Sequence, residues 1–368
     1  MPKTLLLVLT LLVAGPTAQG QFGVRSGGFE RAAQYRRLVT EFDMLYRDLP
    51  KDLRDAKTPE QREAIQAGMA RLVREYAPEF MAIANENPKD AIGLEALGWV
   101  ARRAMSGTEF DASLELLAEH HPGVPGLEVI CRRLLYHQTE KAGKFLESVI
   151  NNNPDGNVRG AALTVLAIFT KRAYEQGGDK ALAAKAEKLF GRAWGEFNAV
   201  RSPGRSRRPN RDSVRAQREF EDLRGPAAIG KTAPDIEGQD LDGIEFKLSD
   251  YRGKIVVLLF WNMLCKPCRE LGWSLESEYA DEPVAVIGVN FDKERKTARE
   301  FVERERIPWR SFWYGETGPN GPITKAWGIR GSTTVYVLDA QGRIRYKFVW
   351  GALDSLDQRL ETLLAELK

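Results

Sequence analysis

Seven consecutive apolar residues, Ile255-Val256-Val257-Leu258-Leu259-Phe260-Trp261, lead almost directly into Cys265-Lys266-Pro267-Cys268. A run of that length with no polar face suits a strand buried on both sides. The spacing predicts a short loop after it and a helix beginning at the first cysteine. A thiol at a helix N-terminus meets the positive end of the helix dipole, which favours the thiolate. The thiolate is the nucleophile of disulfide exchange. The second thiol, about one helical turn on, can attack a mixed disulfide and release the product. The other use of such a pair is half of a zinc site, which needs two more ligands. The remaining candidates are Cys131, His120, His121 and His137, all far upstream and in a different kind of segment. The strand context favours redox chemistry over a metal.

At 368 residues the chain exceeds one ordinary core, so two domains are expected. A hydrophobic content of 43% and a charged content of 29% fit a globular protein. The net charge of +3, from 54 basic and 51 acidic residues, gives no strong pull towards nucleic acid or a membrane.

Residues 1–20 read as an export signal. Lys3 supplies the positive charge, Leu5 to Ala14 the apolar stretch, and Ala18-Gln19-Gly20 the small residues of a cleavage site. The stretch is too short to span a bilayer, and the alternative is an uncleaved N-terminal membrane anchor. The expected location is the periplasm or another extracytoplasmic space, where two or three cysteines serve as a working redox pair rather than a disulfide framework.

Residues 21–200 read as helical. Thr58 is placed as the N-cap of a helix over Pro59 to Val73, and further helices are expected over Ala91 to Ala104 and Val158 to Tyr174. Pro88, Pro122 and Pro154, 34 and 32 residues apart, each open a similar apolar segment, close to the period of helical-hairpin repeats. The expectation is an α-helical, repeat-like array, either presenting a binding face to a protein partner or acting as a spacer. Cys131 falls on an apolar helix face and reads as buried and inert. Residues 201–228, with Arg201, Arg205, Arg207, Arg208, Arg211, Arg215, Arg218 and Arg224 among prolines and glycines, read as a basic linker. From 229 to 368 strands and helices alternate. Val284 to Asn290 is a second strand and Lys293 to Arg306 an amphipathic helix. Thr334 to Leu338 and Ile344 to Phe348 flank the turn Asp339-Ala340-Gln341-Gly342, and Leu353 to Leu367 is a closing helix.

The segment Gly230 to Lys368 resembles the thioredoxin-like extracytoplasmic redoxins of the TlpA and ResA type. The resemblance is carried by Ala233-Pro234-Asp235, Leu241-Asp242-Gly243, Leu248-Ser249-Asp250-Tyr251-Arg252-Gly253-Lys254, Phe260-Trp261, the Cys-x-Pro-Cys-Arg motif, Val289-Asn290-Phe291-Asp292 and Gly328-Ile329-Arg330-Gly331. The fold expected is therefore a helical array followed by a thioredoxin-like α/β domain. The resemblance implies thiol–disulfide exchange on exported proteins, with Cys265 as nucleophile and Cys268 as resolving thiol. It implies no bound cofactor. The partners implied are protein thiols and disulfides and a membrane or periplasmic electron donor. Trp261, Lys266, Pro267, Thr333 and Glu270 complete the expected site.

Several positions depart from the family pattern. Thr333 stands where the family has a proline, normally cis. A cis bond before a non-proline residue costs about 2.5–4 kcal/mol, so Ser332–Thr333 is expected trans, with the Thr333 hydroxyl free to approach Cys265. The aspartate that thioredoxins bury six residues before the first cysteine is Leu259, and the glutamate that many family members carry three residues after the second is Leu271. Glu270 is one position off, about 100° around the helix. Cys268 must then lose its proton to water, to Glu270 after local adjustment, or to a partner group. Leu264 replaces the usual tryptophan. Lys266 is expected to lower the Cys265 pKa and make the pair easier to reduce. Two other readings stand beside this one. One is a peroxiredoxin-like peroxide reductase, although the Pro-x-x-x-Thr/Ser-x-x-Cys loop is missing before Cys265. The other is a binding or scaffold protein whose helical array is the functional part.

Overall fold

The computed structural model describes residues 26–104, 106–199, 210–315, 321–329, 334–349 and 355–367. The export-signal reading of residues 1–20 and the reading of Thr333 lie outside these. The chain divides into two compact units, Met1–Trp99 and Val100–Lys368.

The first unit holds α1 (Ser26–Tyr46), α2 (Leu49–Asp55), α3 (Pro59–Glu86) and the start of α4 (Ala91–Arg103). Thr58 caps α3 as expected: its hydroxyl accepts from the Gln61 N–H and the Gln61 side chain returns to the Thr58 N–H. The helix does not stop near Val73, and it continues through Pro78. Proline costs an interior helix a hydrogen bond. Ala77, Phe80, Met81, Ile83 and Ala84 are all buried around that point, and their packing outweighs the loss. Phe80 stacks on Trp99 with centroids 3.9 Å apart, and Phe42 meets the same indole edge-on at 4.9 Å. Arg31 is buried and held by Asp90 at 2.6 Å and by the Ile83 carbonyl at 2.8 Å.

In the second unit α5 (Thr108–His120), α6 (Glu128–Arg133) and α7 (Glu140–Asn152) precede the long α8 (Gly156–Gly177). Asn153, buried in the loop before α8, donates to the Pro122 and Val124 carbonyls and ties two of the proline-marked loops together. Cys131 on α6 is fully buried, and burial pushes its thiol well above the ordinary range. α9 (Lys180–Ala199) lies against α8 so closely at Gly160 that a Cβ there would come within 2.6 Å of the Phe197 ring. Of the expected linker, residues 201–209 lie outside the described ones, but Arg211–Arg224 forms α10. Its arginines concealed an amphipathic pattern: Asp212, Ala216 and Leu223 are buried while Arg211, Arg215 and Arg218 face out.

The remainder begins with the hairpin β1 (Glu237–Gln239) and β2 (Glu245–Lys247). Then follow β3 (Ile255–Trp261), α11 (Lys266–Glu278), β4 (Val284–Asn290), α12 (Arg295–Glu305), β5 (Arg310–Trp313), α13 (Pro322–Ala326), β6 (Thr334–Leu338), β7 (Ile344–Val349) and α14 (Leu356–Leu367). One sheet has the order β5-β4-β3-β6-β7. β3, β4 and β5 are parallel, and β6 and β7 run antiparallel. This is a thioredoxin-like α/β arrangement after a helical region, as expected. Ile255, Val257, Leu259 and Trp261 enter one core with residues of α11 and α14. Val256, Leu258 and Phe260 enter the other with Phe246, Phe312, Trp327 and Tyr336.

Charge is buried where α8 and α10 meet β7. Lys171 lies 2.7 Å from Glu219, 3.4 Å from Glu175 and 3.9 Å from Asp222, and Glu175 also faces Lys347 at 3.8 Å. Burial opposes the Lys171 charge, but the three carboxylates outweigh it and hold its pKa above the ordinary lysine value.

The β1–β2 turn is organised by Asp240. Its carboxylate accepts from the Asp242 and Ile244 N–H groups at 3.0 and 2.9 Å and from Arg310 at 2.7 Å. Gly243 takes φ +91° there, a conformation that favours glycine. Burial would raise the Asp240 pKa, but the Ile244 N–H and Arg310 outweigh it and hold it below the ordinary 3.8. A carboxyl with a depressed native pKa stabilises the fold above its unfolded pKa and loses that contribution as pH falls through the native value. Asp240→Asn should therefore cost about 1–3 kcal/mol at neutral pH. Wild type should lose this margin on acidification below about pH 4. Urea denaturation across pH checks both, and equal acid sensitivity of the two proteins would refute the assignment.

Candidate active site

β3 ends at Trp261, and Asn262, Met263 and Leu264 bridge to Cys265, the residue just before the first turn of α11. The Asn262 carbonyl accepts from the Cys265 N–H at 3.0 Å and its side-chain oxygen from the Leu264 N–H at 3.1 Å. Pro267 occupies the first turn of the helix, where a missing N–H costs nothing. Cys265 and Cys268 are joined as a disulfide with Cα atoms 5.4 Å apart, within the ordinary range for such a bond. Both are buried, at 6% and 2% exposure, whereas neighbouring Leu264 is 80% exposed. The sulfur of Cys265 sits at the end of a helix whose first N–H groups lack intrahelical partners, a place that stabilises negative charge.

The other expected residues separate into three groups. Lys266 and Glu270 form a surface ion pair at 3.4 Å, 76% and 58% exposed. Such a pair contributes about 0–1 kcal/mol, and Glu270 partly offsets the Lys266 charge that was expected to act on Cys265. Trp261 is buried, its indole edge-on to Trp309 at 5.9 Å and its N–H donating to the Ser311 hydroxyl at 3.1 Å. It fixes the strand end from within the core. Gly272 lets α11 approach the same region, since a Cβ there would lie 2.5 Å from the Trp309 ring. Thr333 lies outside the described residues; adjacent Thr334 pairs with Phe260 at the same end of β3 from which the cysteine loop departs.

Leu259 and Leu271 stand where the family has acids. Leu259 is 1% exposed and shares the buried cluster of the two cysteines, and Leu271 packs against it.

Sequence reasoning missed what holds the loop. The Met263 N–H donates to both Asp292 carboxylate oxygens, at 2.9 and 3.2 Å, and the Met263 carbonyl accepts from the Arg269 guanidinium. Arg269 in turn lies over the Phe301 ring at 5.1 Å. Asp292 is itself fixed: Asn290 donates to it at 2.8 Å and accepts its N–H at 3.0 Å, while the Trp313 indole donates to its carbonyl at 3.0 Å. The signal was present in Val289-Asn290-Phe291-Asp292, a polar pair at the end of an apolar strand, but was read only as a family landmark.

A buried disulfide at the strand–helix junction of a thioredoxin-type sheet defines the dithiol–disulfide class of proteins. Residues 229–347 match the AhpC/TSA family. The chain is 32% identical over 146 residues to the thiol-disulfide oxidoreductase ResA of Geobacillus thermodenitrificans, covering 37% of this chain and 78% of that one. It is 34% identical over 122 residues to the thioredoxin-like protein YneN of Bacillus subtilis, covering 32% and 68%. Among solved structures, the thioredoxin domain of a thiol-disulfide oxidoreductase from Bacteroides vulgatus is similar at 23% identity, with a TM-score of 0.33, covering 38% of this chain and 99% of that one. The chain belongs to the TlpA/ResA-type redoxins, and it is a thiol-disulfide oxidoreductase.

The clamp on Met263 yields a test. Asp292→Ala removes a charged acceptor and leaves the Met263 N–H unpaired, a loss of about 1.5–3 kcal/mol. Asp292→Asn, which can still accept one bond, should cost less. Urea denaturation of the oxidised proteins ranks the three. Identical midpoints for all would show that the loop does not depend on this contact.

Proposed function

We propose that this enzyme exchanges disulfides with exported proteins in an extracytoplasmic space, with Cys265 as nucleophile and Cys268 as resolving thiol. The observation that carries the reading is the Cys265–Cys268 disulfide at the N-terminus of α11. In the reductive direction the Cys265 thiolate attacks a substrate disulfide, forming a mixed disulfide and expelling one substrate thiolate. Cys268, deprotonated, then attacks the Cys265 sulfur, restores the internal disulfide and expels the second. The substrate gains two electrons and the enzyme loses two. An electron donor, in the membrane or the periplasm, returns the pair to the dithiol. The oxidative direction is the reverse.

The apolar surroundings of Cys268 set the slow step. With Leu259 and Leu271 in place of acids, the Cys268 proton passes to water or to the departing substrate thiolate. The resolving step therefore accelerates with pH until the Cys268 thiol is ionised. A second reading rests on the AhpC/TSA match over residues 229–347: reduction of peroxide by the dithiol, with Cys268 closing the disulfide on an oxidised Cys265.

Equilibration against glutathione or dithiothreitol buffers measures the potential of the pair. A value near about −270 mV makes the enzyme a reductase, and one near about −120 mV an oxidant. Cys268→Ser should accumulate a mixed disulfide through Cys265 with a disulfide-bearing peptide, visible as an added mass removed by reductant. Cys265→Ser should form none. If the wild-type pair never closes, and the reduced protein consumes peroxide while leaving peptide disulfides intact, the second reading replaces the first.

A further inference from the structure

The arginine-rich segment before the redox region forms one side of a groove. α10 turns Arg211, Arg215 and Arg218 outward at i, i+4 and i+7, one face of a helix. That face borders a cavity of about 820 Å³, to which Arg132 from α6 and Arg172 from α8 also contribute. Five guanidinium groups from three helices thus converge on one groove. Two carboxylates lie in it, and both are engaged: Asp212 with Arg132 at 2.8 Å and Glu219 with Lys171 at 2.7 Å. Arg211 and Arg215 have no ion-pair partner among the described residues. Arg172 is anchored by donating to the Leu135 carbonyl at 2.6 Å, and burial opposes its charge. Tyr136, 75% exposed, adds an aromatic surface to the rim.

Like charges lining one concavity give it a positive potential that attracts an anion. Guanidinium groups bind carboxylates in paired hydrogen bonds, and a groove with several of them suits a row of carboxylates. At about 820 Å³ the cavity is larger than one small anion needs, and arginines from three helices line it, which suits a chain with several carboxylates. We propose that this groove binds an acidic peptide segment of the proteins whose disulfides the enzyme exchanges. The proposal rests on the redox reading above and adds to it a substrate class: polypeptides with an acidic stretch outside the disulfide itself.

Two measurements on the full chain test it. A fluorescein-labelled deca-glutamate peptide should bind saturably by anisotropy, more weakly in high salt, while a deca-lysine peptide should not bind. Arg211→Glu/Arg215→Glu should weaken binding at least about tenfold. Both positions are exposed, and a glutamate in the first turn of α10 suits the helix dipole, so the variant should fold. In the second measurement, a disulfide peptide with an acidic tail should show KM raised about tenfold in the variant with kcat unchanged, and a neutral-tailed peptide no difference. Equal binding by wild type and variant, or equal KM on the acidic peptide, overturns the proposal. Binding to anionic lipid vesicles that depends on these arginines, with no binding of the peptide, also overturns it and makes the groove a lipid-headgroup site. If neither disulfide peptide is turned over while the deca-glutamate binds as expected, the redox reading fails and the assignment to redox substrates falls with it. The groove then stands only as a peptide site.

Discussion

Everything in the redox region hangs on a strand with no solvent face. All seven residues of β3 are buried, and they divide by parity between two cores. On one side Leu259 and Trp261 meet the helices that cover the cysteines. On the other Phe260 meets Trp327 and Tyr336. Both neighbours are held in register, with Phe260 opposite Val289 on β4 and opposite Thr334 on β6. A slip of one residue would exchange the two cores and carry Cys265 to the wrong face. The position of Cys265 is therefore fixed by packing two strands deep. The loop contacts of Asp292 and Arg269 then set the last three residues of the approach.

The molecule places its buried charge elsewhere. Leucines, Leu259 and Leu271, pack in the cluster of the cysteines, whereas Lys171, Glu175, Glu219, Asp222 and Lys347 crowd together where α8 and α10 meet the sheet edge. Charges so placed demand partners, and removing one member leaves the others uncompensated. Desolvation consumes much of the attraction in such a cluster, so its net contribution to stability is small beside the cost of breaking it. Asp222 approaches Gly328 so closely that a Cβ there would lie 3.2 Å from its carboxylate. Gly328 leads towards the segment before β6. The helices of the second unit are built into the redox fold and do not merely precede it.

The sequence made legible what local chemistry determines. β3, β4 and β6 fall on the residues expected, because a long apolar run between turn residues has few other uses. The thiol pair at a helix start follows from the same run. β5 escaped, because an edge strand of four residues with only Ser311 and Phe312 buried carries too little pattern to stand out from a loop. α10 escaped because its arginines mask an apolar side whose only buried members are Ala216 and Leu223, beside a paired Asp212. α3 ran past Val73 because tertiary packing overrode Pro78. In the site, the cysteines are legible from their spacing together with the apolar run before them. The clamp through Asp292, 29 residues from Met263, depends on a long-range contact that no local pattern reports.

Lys266 shows why charge near a site is a poor guide to charge at the site. Its ammonium is next in sequence to Cys265, yet it reaches outward to Glu270, and both are largely exposed. Water screens such a pair, and its field at a buried sulfur is correspondingly weak. The peptide dipoles at the start of α11 are fixed by the backbone and lie directly beside Cys265, which is itself buried. On that ground the helix end, rather than the side chain between the cysteines, is the closer source of positive potential at Cys265.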